Sequence, residues 1–456
     1  MFSPRSEAKI AIIGAGIAGL AAAERLSFHG FKKVKVFEGL DRIGGRICPV
    51  PFENGYLQLG AEFVHGMKGN PCHELAKNLE ILWPDDHQPQ WENLHLKSNE
   101  IREKRPDYKH FHSWFRDNLD QIAESAGPNA TGSVGKLLDE RFFAWPDHDV
   151  YRKYYFQQKE LIAGIDGCRD LDLVSLRQDS KWEALAGPEV ILLNRFGYHK
   201  LLEHFTSLTQ SNGTQIQLNC HVTNIDWSGE GHVTLTLEQE KHSTNERFDH
   251  VIVTSSIGYL KKNHAHFFKP ALPADKQRVI ELMGFDTLDK VFLQFDKPYW
   301  SSNRTFVLEP TSNREPSLSD AFYFFSVVNW NANVLLVWVQ GHFPSKIETL
   351  SDDQLSAIIF DKLKLSIPDL TPPRRIFRSY WKSSPFFCGS YAYYNTDLDQ
   401  IKEPDLILQK PLFRNQMCAV LFAGEATHSK WFQTVHGALD SGRREADKLN
   451  QTYSLL

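Results

Sequence analysis

The stretch from Lys9 to Glu38 constrains this chain more than any other. An apolar run, Ile10-Ala11-Ile12-Ile13, enters Gly14-Ala15-Gly16-Ile17-Ala18-Gly19 and continues as a helical pattern. That order reads as strand, glycine turn and helix. A second strand, Val34-Lys35-Val36-Phe37, ends on Glu38, near the spacing at which an acidic residue binds a ribose hydroxyl. Gly14 permits the tight turn, Gly16 lets the backbone approach a pyrophosphate, and Gly19 lets the helix lie close to the strand. The helix N-terminus then offers free N–H groups and a positive dipole end to phosphates. A lone glycine pattern carries little; here the strand before it, the helix after it and the acid beyond agree on an adenine dinucleotide.

At 456 residues the chain is too long for one ordinary core, so two or three domains are expected. Lys plus Arg number 51 against 56 Asp plus Glu, a net charge of -5 that gives no reason to expect a nucleic-acid partner. The six cysteines form no CxxC pair, which reads as reduced thiols and neither a disulfide framework nor a zinc site. The 19 histidines show no metal-ligand spacing, so no metal is expected. No apolar run precedes that of the dinucleotide strand, no run reaches membrane-spanning length, and the end Tyr453-Ser454-Leu455-Leu456 is not the Ser-Lys-Leu peroxisomal address. The expectation is a soluble cytoplasmic protein that does not bind a membrane.

Beyond Glu38 comes Asp41-Arg42-Ile43-Gly44-Gly45-Arg46, a turn suited to close backbone approach and phosphate neutralisation. With this run the sequence resembles the flavin-containing amine oxidase family, which implies that Arg46 meets the pyrophosphate of FAD. Leu59-Gly60-Ala61-Glu62-Phe63-Val64-His65-Gly66 is similar to the family's flavin-facing segment, in the form typical of its polyamine oxidase branch. Near the C-terminus Leu421-Phe422-Ala423-Gly424-Glu425-Ala426-Thr427-His428 resembles the second FAD signature, and Thr434-Val435-His436-Gly437 begins a helix expected to run to Asp447. The resemblance places Gly14, Gly16, Gly19, Glu38, Arg46, Gly60, Ala61, Glu62, Val222, Gly424, Glu425, Thr434 and Val435 on the cofactor, with the backbone of Val222 at the adenine. It implies noncovalent FAD, because Ser390 stands where the monoamine oxidase branch has its flavin-linking cysteine before the tyrosine, Tyr391 here.

Between these signatures the Rossmann alternation stops twice. Helical patterns over Phe111 to Ala126, Val134 to Phe143 and Val150 to Ile162 read as walls of a substrate pocket. Alternating strands at Val291 to Phe295, Phe322 to Val327 and Val334 to Val339, then a helix over Asp352 to Lys364, read as a mixed sheet. The fold expected is α/β: a Rossmann-type FAD-binding domain of the glutathione-reductase-like, amine oxidase type (1–80, 190–260 and 388–456), interleaved with a mixed-sheet and helical substrate-binding domain (81–189 and 261–387).

From pattern alone Lys290 is an exposed lysine at a strand edge. The resemblance implies that it holds a water against flavin N5, that Trp381 and Tyr391 wall the ring, and that Thr434 lines the opposite side. His65 is either a substrate-orienting or a structural histidine, and His436 reads as structural. Gln178, with Asp179 beside it, stands where the polyamine branch offers an acid to the substrate amine; a neutral amide holds an ammonium less well. The activity implied is oxidation of spermine or an N-acetylated polyamine, with O2 reduced to hydrogen peroxide. A flavin oxidase of another amine and a non-catalytic FAD-bound interaction protein are the alternatives, and oligomeric state is left open.

Overall fold

The computed structural model describes residues 4–84, 95–97, 107–240, 242–300, 305–308, 317–414 and 417–454; Asp179 and 95–97 are described by backbone only. At its centre lies a six-stranded sheet assembled from distant parts of the sequence. Lys9–Ile13 pairs in parallel with Lys33–Phe37 on one side and His250–Val253 on the other. Gln215–Gln217 extends one flank in parallel, Met417–Phe422 extends the other, and Leu412–Arg414 closes that edge antiparallel. The central strand is apolar on both faces because both are covered: Ile10 and Ile12 pack with the first helix, Ala11 and Ile13 with a second cluster containing Val253 and Phe422.

The first helix, Ile17–Phe28, lies against the last, Val435–Ser454, so closely that a Cβ on Gly442 would run into the Ala18 carbonyl. That last helix continues beyond Asp447, where the sequence pattern ends it. Asp447 pairs with Arg25 at 2.7 Å and His29 at 2.5 Å, and Leu449 is fully buried in the same cluster. The contacts of the extra two turns are tertiary, so local periodicity does not reveal them.

A four-stranded sheet, in the order Phe268–Lys269, His221–Asp226, Val233–Gln239, His242–Phe248, adjoins the nucleotide strands; the Cys220 amide donates to Glu38 O at 2.8 Å. The third large sheet has the order Arg375–Arg378, Asp289–Gln294, Val334–Val339, Phe324–Val327, Thr305–Leu308, His95–Lys97. Asp289–Gln294 is therefore an internal strand with antiparallel neighbours on both sides. Lys290 is 3% exposed, which corrects the pattern-based reading of an exposed edge lysine.

Three helices, Tyr108–Ser125, Val134–Ala144 and His148–Ile165, pack around Phe111, Phe115, Phe142 and Tyr155, with Phe142 and Tyr155 stacked at 3.7 Å. Lys159 fastens this unit through Asp139 at 2.8 Å and Asp172 at 2.7 Å. The end of His148–Ile165 reaches Tyr391, whose hydroxyl donates to Gly164 O at 2.9 Å. A Cβ on Gly167, at φ +68°, would collide with the Tyr391 ring, so this approach requires glycine.

Candidate active site

The glycines of the first turn divide into two kinds. Gly14 takes φ +104°, donates its N–H to Phe37 O at 2.7 Å, and is backed by Thr254. A Cβ on Gly19 would strike the Gly14 carbonyl, so Gly19 is where helix and turn touch. Gly16 and Gly424 differ: an added Cβ would meet nothing closer than 3.9 Å at either. Gly16 caps Ile17–Phe28 with no side chain over that helix end, and Gly424, at φ +120°, lines the cavity that Arg46 also borders. Orphan first-turn amides and a positive helix end therefore face room that a side chain would have filled.

Glu38 closes the turn from beside. It is 6% exposed and accepts from the Ala15 amide at 2.7 Å and the Leu40 amide at 3.0 Å; burial pushes its carboxyl above the ordinary range, against the pull of these two bonds. Arg46 donates to Glu425 Oε1 at 2.9 Å and to Ser390 O at 2.7 Å, while Glu425 Oε2 accepts from the Gln433 amide at 3.0 Å. A cavity beside this knot is lined by Arg46, Val253, Ser256, Gly424, Glu425 and Thr427. Room beside glycines, a helix N-terminus, an acid at the second strand and a guanidinium together fit the adenine dinucleotide and pyrophosphate of FAD.

Lys290 forms the second centre. Its Nζ donates to Glu62 Oε2 at 2.6 Å, Gly60 O at 2.8 Å and Gln58 O at 3.1 Å, and lies 4.3 Å from the Trp338 ring centroid. Burial lowers its pKa, and Glu62 opposes that shift. Gly60 is enclosed between the Arg46 carbonyl and the Trp381 indole, and the Ala61 amide donates to Arg46 O at 3.3 Å. The backbone carrying Lys290 is also fixed: its N–H donates to Ser379 Oγ at 2.9 Å, which donates to Asp289 Oδ1 at 2.7 Å, and Asp289 accepts from the Trp381 amide at 3.3 Å. Burial and the nearby Glu348 push the Asp289 carboxyl well up.

The structure thus brings Gly60, Ala61, Glu62, Lys290 and Trp381 together and joins them through Arg46 to Glu425. Tyr391 follows Ser390, which binds Arg46, and its ring packs on Gly167. Thr434 caps the last helix, accepting from the Gly437 amide at 3.0 Å and donating to Trp431 O at 2.7 Å; Val435 opens that helix. The Thr434 hydroxyl is thus engaged in capping, a role that the resemblance does not convey. His65 Nδ1 lies 2.9 Å from Glu189 O, and since a carbonyl only accepts, Nδ1 carries the proton and Nε2 the lone pair. Burial holds its pKa down. Val222 is buried in the strand that follows Cys220, two residues from the contact with Glu38. Gln178 is buried in the short helix Leu176–Asp179, and among the described residues its Oε1 has no hydrogen-bond partner; the side chain of Asp179 is outside the described residues.

Three contributors escape the sequence reading. Trp338 covers Lys290, Phe63 stacks on Trp338 at 6.0 Å, and Gln58 supplies a carbonyl to Nζ. Trp338 lies directly across from Lys290 in the strand pair, but cross-strand register is not written in either strand alone. Among the described residues, no group of three His, Cys, Asp or Glu is placed to hold a metal ion, and no helix is long and apolar enough to cross a membrane.

An FAD-type cradle joined to a buried lysine site defines the class of a flavoprotein oxidoreductase. Residues 17–450 match the family described as flavin containing amine oxidoreductase, and the chain belongs to that family: it is an FAD-dependent amine oxidase, acting on small-molecule amines with O2. Ser390 before Tyr391 agrees with noncovalent FAD. The chain is 28% identical to the peroxisomal N(1)-acetyl-spermine/spermidine oxidase of Bos taurus, over 98% of this chain and 95% of that one. It is 26% identical to probable polyamine oxidase 5 of Arabidopsis thaliana, over 98% and 99%. Among solved structures it resembles cyclohexylamine oxidase from Brevibacterium oxydans IH-35A, with TM-score 0.73, 18% identity and coverage of 98% and 99%. A putrescine oxidase double mutant redesigned in cofactor binding gives TM-score 0.71 and 17% identity over 97% and 98%.

Proposed function

We propose that this chain oxidises polyamines, spermine or an N-acetylated polyamine, at the carbon alpha to a neutral secondary amine. The observation that carries the reading is similarity along nearly the whole chain to relatives named for polyamines, with a buried Lys290 paired to Glu62 at the centre of the site. Bound FAD would supply the hydride acceptor and would hand the electron pair to O2 to give hydrogen peroxide, leaving an imine for water to hydrolyse.

The chain's own residues do the rest. Gly14, Gly16, Gly19, Glu38, Val222, Gly424, Glu425 and Val435 hold the cofactor, with Arg46 as the cation for its pyrophosphate. Gly60, Ala61 and Glu62 carry the segment that receives Lys290. Trp381 and Tyr391 exclude water with apolar ring faces, and Thr434 sets the start of the last helix opposite them. His65, with Nε2 unprotonated, accepts a hydrogen bond from the substrate amine. The buried Oε1 of Gln178, without a partner among the described residues, suits an incoming N–H donor, but its neutrality favours a second reading, an amine with fewer positive charges than spermine. The FAD-binding part comprises 1–80, 190–260 and 388–456, supported by the central sheet's strands from all three segments; 81–189 and 261–387 form the substrate part. The proposed location is the cytoplasm, which imaging of a tagged copy tests.

The deciding experiment adds spermine, then N1-acetylspermine, to the purified holoprotein without oxygen while flavin absorbance is followed. Rapid bleaching reversed by air is expected. A persistent yellow spectrum with both rejects the polyamine reading.

A further inference from the structure

An ammonium has three N–H donors, and the structure gives Lys290 three acceptors: Glu62 Oε2, Gly60 O and Gln58 O, at 2.6, 2.8 and 3.1 Å. The Trp338 ring covers a further side. Among the described residues Glu62 is the one charged side chain bonded to Nζ. The strand Val334–Val339 presents Trp338 there. On the other neighbouring strand, Arg378 turns its guanidinium to the Ile347 and Leu350 carbonyls. Asp289, next in sequence, meets Ser379 and the Trp381 amide instead.

Without Glu62, a lysine this buried would face only carbonyl dipoles, and desolvation would favour the neutral amine. A neutral amine has two N–H groups and could not serve all three acceptors. A carboxylate at hydrogen-bond distance opposes that preference and supplies the charged partner an ammonium needs. We propose that Glu62 is a positioning residue that keeps Lys290 an ammonium, pinned on the Gln58 and Gly60 carbonyls, so that Lys290 acts as a fixed positive charge and not as a proton acceptor. The proposal rests on the reading of this site as the oxidase active site.

The test compares the FAD-loaded wild type with Glu62→Gln, Lys290→Met and the double variant. Thermal unfolding midpoints form a cycle, and flavin absorption is recorded from about pH 6 to about pH 10. Glu62→Gln is expected to lower the midpoint when Lys290 is present and to leave it nearly unchanged in the Lys290→Met background. The pH-dependent spectral step is expected to move down by about one unit or more in Glu62→Gln and to vanish in Lys290→Met. If Glu62→Gln lowers the midpoint equally in both backgrounds, or unfolds the protein only when Lys290 is already Met, the proposal is overturned. Neither measurement uses a substrate, so a protein that ignores spermine yet shows the coupling loses the polyamine reading and keeps this assignment.

Discussion

Arg46 donates at 2.9 Å to Glu425, linking residues 379 positions apart and joining the two cofactor signatures directly. Glu425 is 4% exposed, so removing the guanidinium leaves a buried carboxylate with, among the described residues, the Gln433 amide alone as hydrogen-bond donor. Arg46→Ala is expected to weaken FAD retention at least about tenfold, roughly 1.4 kcal/mol. Flavin content after gel filtration, read from the absorbance ratio, checks this; full retention would contradict it.

Gly16 and Gly19 give opposite outcomes for the same substitution. Gly19→Ala drives a methyl into the Gly14 carbonyl and is expected to destabilise the fold by roughly 2 kcal/mol or more, with or without flavin. Gly16→Ala meets no atom closer than 3.9 Å, so the apoprotein should melt near the wild-type temperature while FAD binding is lost. Calorimetry of apoprotein and holoprotein separates the two.

Thr434 tests cap against cavity wall. Thr434→Ala removes the acceptor for the Gly437 amide and is expected to cost about 1 kcal/mol of stability, whereas Thr434→Ser keeps it. If denaturant unfolding shows no difference between the two variants, the capping role fails.

Acid stability isolates His436. Burial lowers its pKa from 6.5 to about 3, with the charges of His65 and His428 adding, and among the described residues its Nε2 has no hydrogen-bond partner. A lowered folded pKa means that the unfolded chain binds the proton first as pH falls below 6.5, so the folded state loses stability from there down toward 3. His436→Gln is expected to flatten that acid-side loss, measured as unfolding midpoint against pH between about 7 and 5. An unchanged slope would place the titrating group elsewhere.

Much of the cofactor fold was legible because its devices are local. A strand, a glycine turn, a helix and an acid lie within one run of sequence, and each glycine's surroundings follow from that geometry. Lys290 was not legible from pattern: a lone lysine at a strand start reads as solvated, and its burial depends on the internal place of Asp289–Gln294 between two later strands. Resemblance supplied its importance, but not the Glu62 carboxylate or the Trp338 ring. Thr434 shows the same limit, since a threonine before a helix can serve the cap or the cavity, and only the Gly437 contact decides what its hydroxyl does.

The order of strands in the central sheet also sets a timetable for synthesis. Lys9–Ile13 is made early, but its neighbour His250–Val253 and the next strand, Met417–Phe422, emerge far later, as does the helix that covers Ile17–Phe28. A ribosome-bound chain therefore carries an apolar first helix with one face bare until Val435–Ser454 has been made. Such long-range pairing slows folding and leaves sticky surface exposed meanwhile. Nascent chains halted before the last helix are expected to engage chaperones and to be protease-sensitive throughout, gaining resistance in a single late step.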